Sequence, residues 1–494
     1  MSSSASGRLW FGHPRGLATL FFTEMWERFS YYGMRAILVL YITASAATGG
    51  MGMSVAEAGM IYAMYTSLVY LMSVPGGWLA DNYLGLRRAV FLGGFIIMLG
   101  HICLAMPSMT TFYVGLGLVV LGTGLLKPNI SATVGALYEA QDTRRDAGFS
   151  IYYMGINLGA FTAPLVCGWL AQSEWFRGWL GSVGLDPRSS WHFGFGAAAV
   201  GMALGLVQYV LTGRHLGDAG LKPSPVHDAA DAAHRRRMLR LGLAGAGMLV
   251  AAVAGLALAN PAALNKENIN AAYTVFLGIV VVGFFTRLFT GKWTPTERNR
   301  LYVIGILFVA AAVFWSVFEQ AGSTLTLIAE ELTDNRLFNW AFPSSWWQSA
   351  NALFVISLAP LFSWLWIRLG PRNPGYPAKF GWGLVLAAAG FMWLALGARG
   401  ADGENRMHVQ WLMTTYLLHT MGEMCLSPVG LSAMTKLAPR RVVGQMLGVW
   451  FLAASVGNFL SGMVATYYER FATTTILAVV AVATLVVAAL MFAL

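Results

Sequence analysis

Charge is scarce in this sequence. Asp, Glu, Lys and Arg make up 11% of its 494 residues, against about 25% in a typical soluble domain. Apolar residues make up 57%, against about 45–50%. Such an excess has to face something other than water, which excludes an ordinary soluble globule and points to a bilayer. It excludes disorder as well. Cysteine is scarce too: Cys103, Cys167 and Cys425 all lie inside apolar segments. With no CxxC and no Cys/His cluster, neither a disulfide framework nor a metal site is supported, and no cofactor is expected. A GxSxG elbow and an HExxH helix are also absent, so an intramembrane hydrolase lacks its nucleophile and base. His419 and Glu423 come nearest, at i, i+4, but two ligands are too few for a metal. Met1 to Pro14 is short and polar and has no cleavable signal pattern.

What is present is a series of long apolar runs. A span needs about 20 mostly apolar residues. Candidate spans lie at 17–43, 56–80, 88–107, 110–138, 147–170, 191–213, 239–259, 271–289, 301–328, 346–367, 380–398, 409–437, 442–466 and 472–493, fourteen in all. The net charge of +10 does not argue for nucleic acid, because the basic residues sit in short loops between spans. The loops on the side of the N-terminus hold 22 of the 32 Lys and Arg, Arg8 and Arg440 among them, and the opposite loops hold 7. That asymmetry predicts that both termini are cytoplasmic.

The stretch 214–237, rich in Asp, His, Ala, Pro and Arg, reads as the one real linker. The two spans after it carry no ionisable residue in their middle. Setting them aside leaves six spans on each side, the layout of a carrier with two bundles around a central cavity. The expected organisation is a six-helix bundle over 1–213, a linker with two additional helices over 214–300, and a second six-helix bundle over 301–494. The predicted fold class is an all-α membrane protein of fourteen transmembrane helices.

Ionisable groups at span depth cost a few kcal/mol or more, so each is a functional candidate. In the first span, Glu24, Arg28, Tyr31 and Arg35 are spaced to form one helical stripe, with Glu27 beside it. Lys127 lies deep in the fourth run, some ten residues from either end, too far to snorkel easily. Glu319 lies in a segment where Trp315, Glu319 and Ser323 are expected to share a helix face. A carboxylate in that setting is a candidate proton carrier. Glu423 follows His419, which is expected to be a packing histidine, and precedes Ser427 and Pro428. Pro428 is expected to break the helix. Asn157 and Asn351 lie within spans as multivalent hydrogen-bonding groups. Arg35 and Lys127 come from the first half and Glu319 and Glu423 from the second. A cavity between the halves then has walls of opposite sign, complementary to a zwitterion. Tyr31, Tyr65, Trp315, Phe318 and Trp450 are expected to supply apolar surface between them.

These residues carry a resemblance. The run from Glu24 to Gly33 (ExxERFxYYG), that from Tyr152 to Ala160 (YYxxINxGA), the 314–323 segment and Gly422-Glu423…Ser427-Pro428 resemble the proton-dependent oligopeptide transporter family of the major facilitator superfamily, over essentially the whole chain. The loop from Gly77 to Arg88 resembles the general superfamily motif after the second span. The resemblance implies the major facilitator fold, with two extra spans between the halves, and uptake of di- and tripeptides by proton symport. Arg35 and Lys127 are then expected to meet the peptide carboxylate. Glu423, Asn157 and Asn351 are expected to meet its amino terminus, with Ser427 nearby. Glu319 is the implied proton-linked acid. Glu24, Glu27 and Arg28 are expected to couple protons to a salt bridge involving Lys127. One departure is Ala352 after Asn351, where members often carry proline. The implied partners are peptide, protons and the cell-membrane bilayer, in a monomer. The competing readings are a superfamily carrier of nitrate or drug-like molecules and, further off, a hydrolase.

Overall fold

The computed structural model describes residues 9–139, 141–338, 340–439 and 441–494. Arg8 and Arg440, both counted above as loop cations, lie outside the described residues. The chain is almost entirely helical. The first part comprises α1 (Gly16–Thr43), α2 (Val55–Leu71), α3 (Ser73–Leu79), α4 (Leu86–Leu104), α5 (Met109–Ala136), α6 (Arg145–Gln172), α7 (Glu174–Ser182) and α8 (Ser190–Thr212). Next come α9 (Ala229–Ala259) and α10 (Lys266–Phe289). The last part comprises α11 (Pro295–Phe318), α12 (Thr324–Glu331), α13 (Gln348–Leu369), α14 (Tyr376–Gly397), α15 (Gln410–Leu437), α16 (Met446–Ala465) and α17 (Thr473–Phe492). Four two-residue strands sit in the connections. Thr333 pairs with Met407 in parallel, and Arg336 with Ala341 antiparallel.

Among the described residues, 12 helical segments are long and apolar enough to cross a membrane. Two further helices, α1 and α15, have the length at 28 residues each. Their polar content keeps them below that standard, and they carry the candidate charges. A charged helix stays in a bilayer only by facing the protein interior. Glu24, Glu27, Arg28 and Arg35 on α1 are accordingly all buried.

Helix starts follow local sequence. Ser54 and Glu57 form a reciprocal capping box at α2, and Thr294 and Glu297 do the same at α11. Proline lies inside α5, α6, α13 and α15. The expectation at Pro428 is corrected: α15 runs through it without a break, because neighbouring helices can hold a proline-containing span together. The opposite correction applies to the 301–328 run. It stops at Phe318, turns through a short 3-10 segment at Glu319–Gly322, and restarts as α12. Glu319 therefore heads a turn rather than sharing a helix face with Trp315 and Ser323. The 214–237 linker is also partly helical, since α9 begins at Ala229.

Helix α1 packs on α6 and α8, and α4 on α5; in the last part, α14 packs on α15 and α17. The two sets meet where α2 lies on α16 and α6 on α13. These contacts cluster at the end of the molecule away from the chain termini, here called the distal end. A Cβ on Gly59 of α2 would come within 2.8 Å of the Gly462 carbonyl of α16, so glycine permits that crossing. The Ser67 and Ser455 hydroxyls are 2.8 Å apart. On the other seam, Ser349 donates to the Phe161 carbonyl and the Trp346 indole to that of Leu165. Helices α9 and α10 stand apart: 0% and 11% of their apolar windows are buried. Among their described residues only Arg235 of α9 and Tyr273, Leu277 and Leu288 of α10 are buried, and Tyr273 donates to Ser67 Oγ at 2.7 Å.

Candidate functional site

A cavity of about 1120 Å³ lies between the two helix sets. Its lining reaches Ser131 and Phe149, at the terminal-side ends of α5 and α6, and Trp366, near the terminal-side end of α13. The distal end is closed by the seams above. The cavity thus extends toward the side on which both termini lie.

At its closed end, α1 meets the α11 break. Arg35 Nη2 is 2.7 Å from Glu319 Oε2, and both side chains are almost fully buried. Arg35 Nε also donates to the Tyr62 hydroxyl at 2.8 Å. Arg35 and Tyr62 also reach the backbone carbonyl of Glu319 at the start of the turn, at 3.5 and 3.4 Å. Gly322 makes this possible, since a Cβ there would lie 2.6 Å from Arg35 Nε. One arginine thus ties the first part of the chain to the last.

Lower on the same helix, Arg28 Nε lies 2.7 Å from Glu24 and 3.0 Å from Glu27. Both oxygens of Glu27 and one of Glu24 are buried and lack a hydrogen-bond partner. The Lys127 salt bridge expected with this cluster is absent: among the described residues Lys127 makes no ion pair. Its ammonium instead stands 3.5 Å from the centroid of the Tyr70 ring, a cation–π contact. Arg28 has taken the carboxylates, because it lies on their own helix, at the favoured i, i+4 spacing from Glu24 and next to Glu27 in sequence.

On the facing wall, Asn351 Nδ2 donates to Glu423 Oε2 at 3.1 Å and meets Thr420 Oγ1 at 3.0 Å. One carboxylate oxygen of Glu423 is thus held by a neutral amide, and among the described residues no cation pairs with it. His419 Nε2 bonds the Ala387 carbonyl at 3.1 Å, so it is a packing histidine as expected. Asn157 bonds within its own helix to the Tyr153 carbonyl at 2.9 Å. Trp315, Phe318 and Trp450 form an aromatic patch, with Trp315 5.5 Å from Phe318 and 6.3 Å from Trp450.

The cavity brings together Glu24, Arg28, Arg35, Lys127, Asn157, Trp315, Phe318, Glu319, Asn351, Glu423, Ser427 and Trp450. Three expected residues are not on its surface. Glu27 is fully buried behind Arg28. Tyr31 and Tyr65 are buried in the helix packing, where expectation placed them against substrate. Tyr32 and Tyr70 line the cavity in their place. One residue is about 100° of helix rotation, so adjacent tyrosines cannot be ranked by spacing alone. Gln348 and Thr420 also line it. Thr420 was detectable from the sequence, one turn of polar spacing before Glu423.

The family model described as the POT family matches residues 87–483. The chain belongs to the POT family. As a POT-family member it is a transporter and not an enzyme, and it has the major facilitator type of fold. The uncharacterized transporter YclF of Bacillus subtilis is 42% identical over 464 residues, covering 93% of this chain and 89% of that protein. The di-/tripeptide transporter of Lactococcus lactis subsp. cremoris is 39% identical over 475 residues, covering 94% of this chain and 91% of the other. A crystal structure of a peptide transporter POT in complex with sulfate superposes with a TM-score of 0.88 at 40% identity, covering 98% of this chain and 95% of that one.

Proposed function

We propose that this POT-family protein imports di- and tripeptides across the cell membrane by proton symport, in a monomer with both termini cytoplasmic. The observation that carries the reading is one cavity with walls of opposite charge. Lys127 stands without an anionic partner on one wall, and Glu423 without a cationic partner on the other. A short peptide brings a carboxylate and an ammonium group to satisfy both. Its side chains then lie against aromatic surface at Trp315, Phe318 and Trp450, which reads them loosely. The peptide transporters among its relatives and structural neighbours support the same substrate class.

Proton coupling rests on two carboxyl groups. Glu319 holds Arg35 across the closed distal end. A proton on Glu319 removes one charge of that pair and weakens the closure, freeing Arg35 for a peptide carboxylate. Glu27, buried beside Arg28 with no hydrogen bond to either oxygen, is the proton-accepting acid of the first half, since a buried carboxylate short of hydrogen bonds is costly. Its neutralisation would leave Arg28 to Glu24 alone. Moving one charge through 100 mV is worth about 2.3 kcal/mol, comparable to weakening one or two modest ion pairs. A monomer suffices because the cavity is built from one chain.

The test is uptake of labelled dialanine into liposomes holding the purified protein, with and without an inward proton gradient. The expected result is gradient-stimulated accumulation of intact dipeptide. Equal uptake in both conditions would overturn the coupling, and no uptake by folded protein would move the substrate elsewhere.

A further inference from the structure

The superfamily-like loop ending at Arg87 and Arg88 takes no part in the central cavity. It does shape a second one. A cleft of about 440 Å³ lies between the first turn of α4 and the end of α8, on the terminal side. Its polar rim holds Arg87, Arg88 and Arg214. Its apolar floor holds Phe91, Leu92 and Val210, all exposed on the outside of the bundle.

The three arginines are differently placed. Arg87 donates to the Gly217 carbonyl at 2.8 Å and the Gly213 carbonyl at 3.0 Å, and its own carbonyl accepts from the Tyr209 hydroxyl at 3.2 Å. It is thereby fixed across the end of α8, where helical carbonyls lack donors. Arg88 and Arg214 have no hydrogen bond or ion pair among the described residues. Among the described residues no carboxylate stands within ion-pair distance of any of the three. The cleft therefore carries uncompensated positive charge at the level of the helix ends. The apolar residues begin one turn deeper on both helices, on surface that a bilayer covers. Cations at the interface with acyl-facing residues immediately below match an amphiphile with an anionic head. A free anion would have no use for the apolar floor.

We propose that this cleft binds an anionic phospholipid, its phosphate on Arg87, Arg88 and Arg214 and its acyl chains along Phe91, Leu92 and Val210. The site lies outside the peptide cavity, so its test is a binding measurement that does not depend on transport. The purified full-length protein is exchanged in neutral detergent against phosphatidylglycerol or phosphatidylcholine, and retained lipid is counted by native mass spectrometry. The wild-type protein is expected to retain phosphatidylglycerol preferentially. The double variant Arg88→Gln/Arg214→Gln, which leaves Arg87 and the end of α8 intact, is expected to lose that preference by about tenfold or more. Arg88→Lys/Arg214→Lys is expected to keep most of it, which separates lost charge from lost structure. Equal retention of both lipids by the wild type, or undiminished preference in the double glutamine variant, would overturn the site. Displacement of the lipid by inorganic phosphate would assign the arginines to a free anion and overturn the lipid reading. Persistence of the lipid in phosphate supports it.

Discussion

Arg28 and Arg35 stand two turns apart on one helix and are buried alike, yet their partners come from opposite places. Arg28 is held by Glu24 and Glu27 of its own helix. Arg35 is held by Glu319, in the last part of the chain. The first cluster travels with α1 whatever the rest of the molecule does. The second must break whenever the distal end opens. Similar side chains in similar burial therefore do different work: one set can store charge within a moving part, and the other can report whether two parts are closed. The distance between partners along the chain, rather than the chemistry of the pair, separates the roles.

The contrast is sharpest at the carboxylates. Removing one partner of a buried pair costs about 3–5 kcal/mol, because the other charge is left uncompensated. Glu319→Gln is expected to abolish gradient-driven accumulation while exchange of labelled for unlabelled peptide continues. Glu27→Gln, which leaves Arg28 paired with Glu24, is expected to blunt the response to the gradient while spin-label distances across the distal α6–α13 seam stay unchanged. Equal seam opening in the two variants would erase the distinction between the clusters.

A smaller effect is expected at the facing wall. Asn351→Ala removes one hydrogen bond to the Glu423 carboxylate, worth about 1.5 kcal/mol. Binding of a peptide with a free amino terminus should weaken about tenfold, and binding of its N-acetylated counterpart should change much less. Equal losses for both would remove Glu423 from amino-terminus recognition.

The smallest effect lies outside the bilayer and serves as a control. Arg144 bonds Asp142 through its side chain at 2.8 and 3.0 Å and holds the carboxyl down at about 2, below its ordinary 3.8. A lowered acid stabilises the fold above its ordinary value and loses that contribution as pH falls through its folded value. Asp142→Asn should lower the thermal midpoint slightly at pH 7, with the gap to wild type closing as pH falls from about 4 to about 2. The pair is exposed, so transport should not change. A large transport defect in this variant would show that the contrast between buried and exposed pairs is misplaced.

Much of the site was legible because a bilayer makes every interior charge conspicuous. Arg35, Lys127, Glu319 and Glu423 stood out against apolar runs, and the structure lines one cavity with all four. The spans were legible for the same reason, including the two too polar to meet a hydropathy standard. The pairings were not. Nothing local in the sequence joins Arg35 to Glu319, and the break that aims Glu319 at Arg35 falls in the short polar stretch 319–324, which reads equally well as the polar face of an unbroken helix. The expectation that Lys127 pairs with the first-helix acids comes from the family resemblance, and the sequence alone offers only an interior cation in want of an anion. The nearer competitor, Arg28, wins on geometry. Tyr70 over Lys127 was hidden because an aromatic residue in a span is ordinary packing until a cation is seen above it.

The Tyr273 hydroxyl on Ser67 has a practical consequence for the two helices that otherwise bury almost nothing. Ser67 is itself paired with Ser455 across the seam, so α10 touches that boundary through Tyr273, which also packs on Phe459 of α16, and through Lys266, which pairs with Glu57 of α2, while α9 buries only Arg235 among its described residues. The hairpin is in effect a needle on a dial. A fluorophore carried on α9 would follow the opening of the distal seam from outside the transport path, and Tyr273→Ala together with Lys266→Ala would loosen the needle while leaving the dial in place.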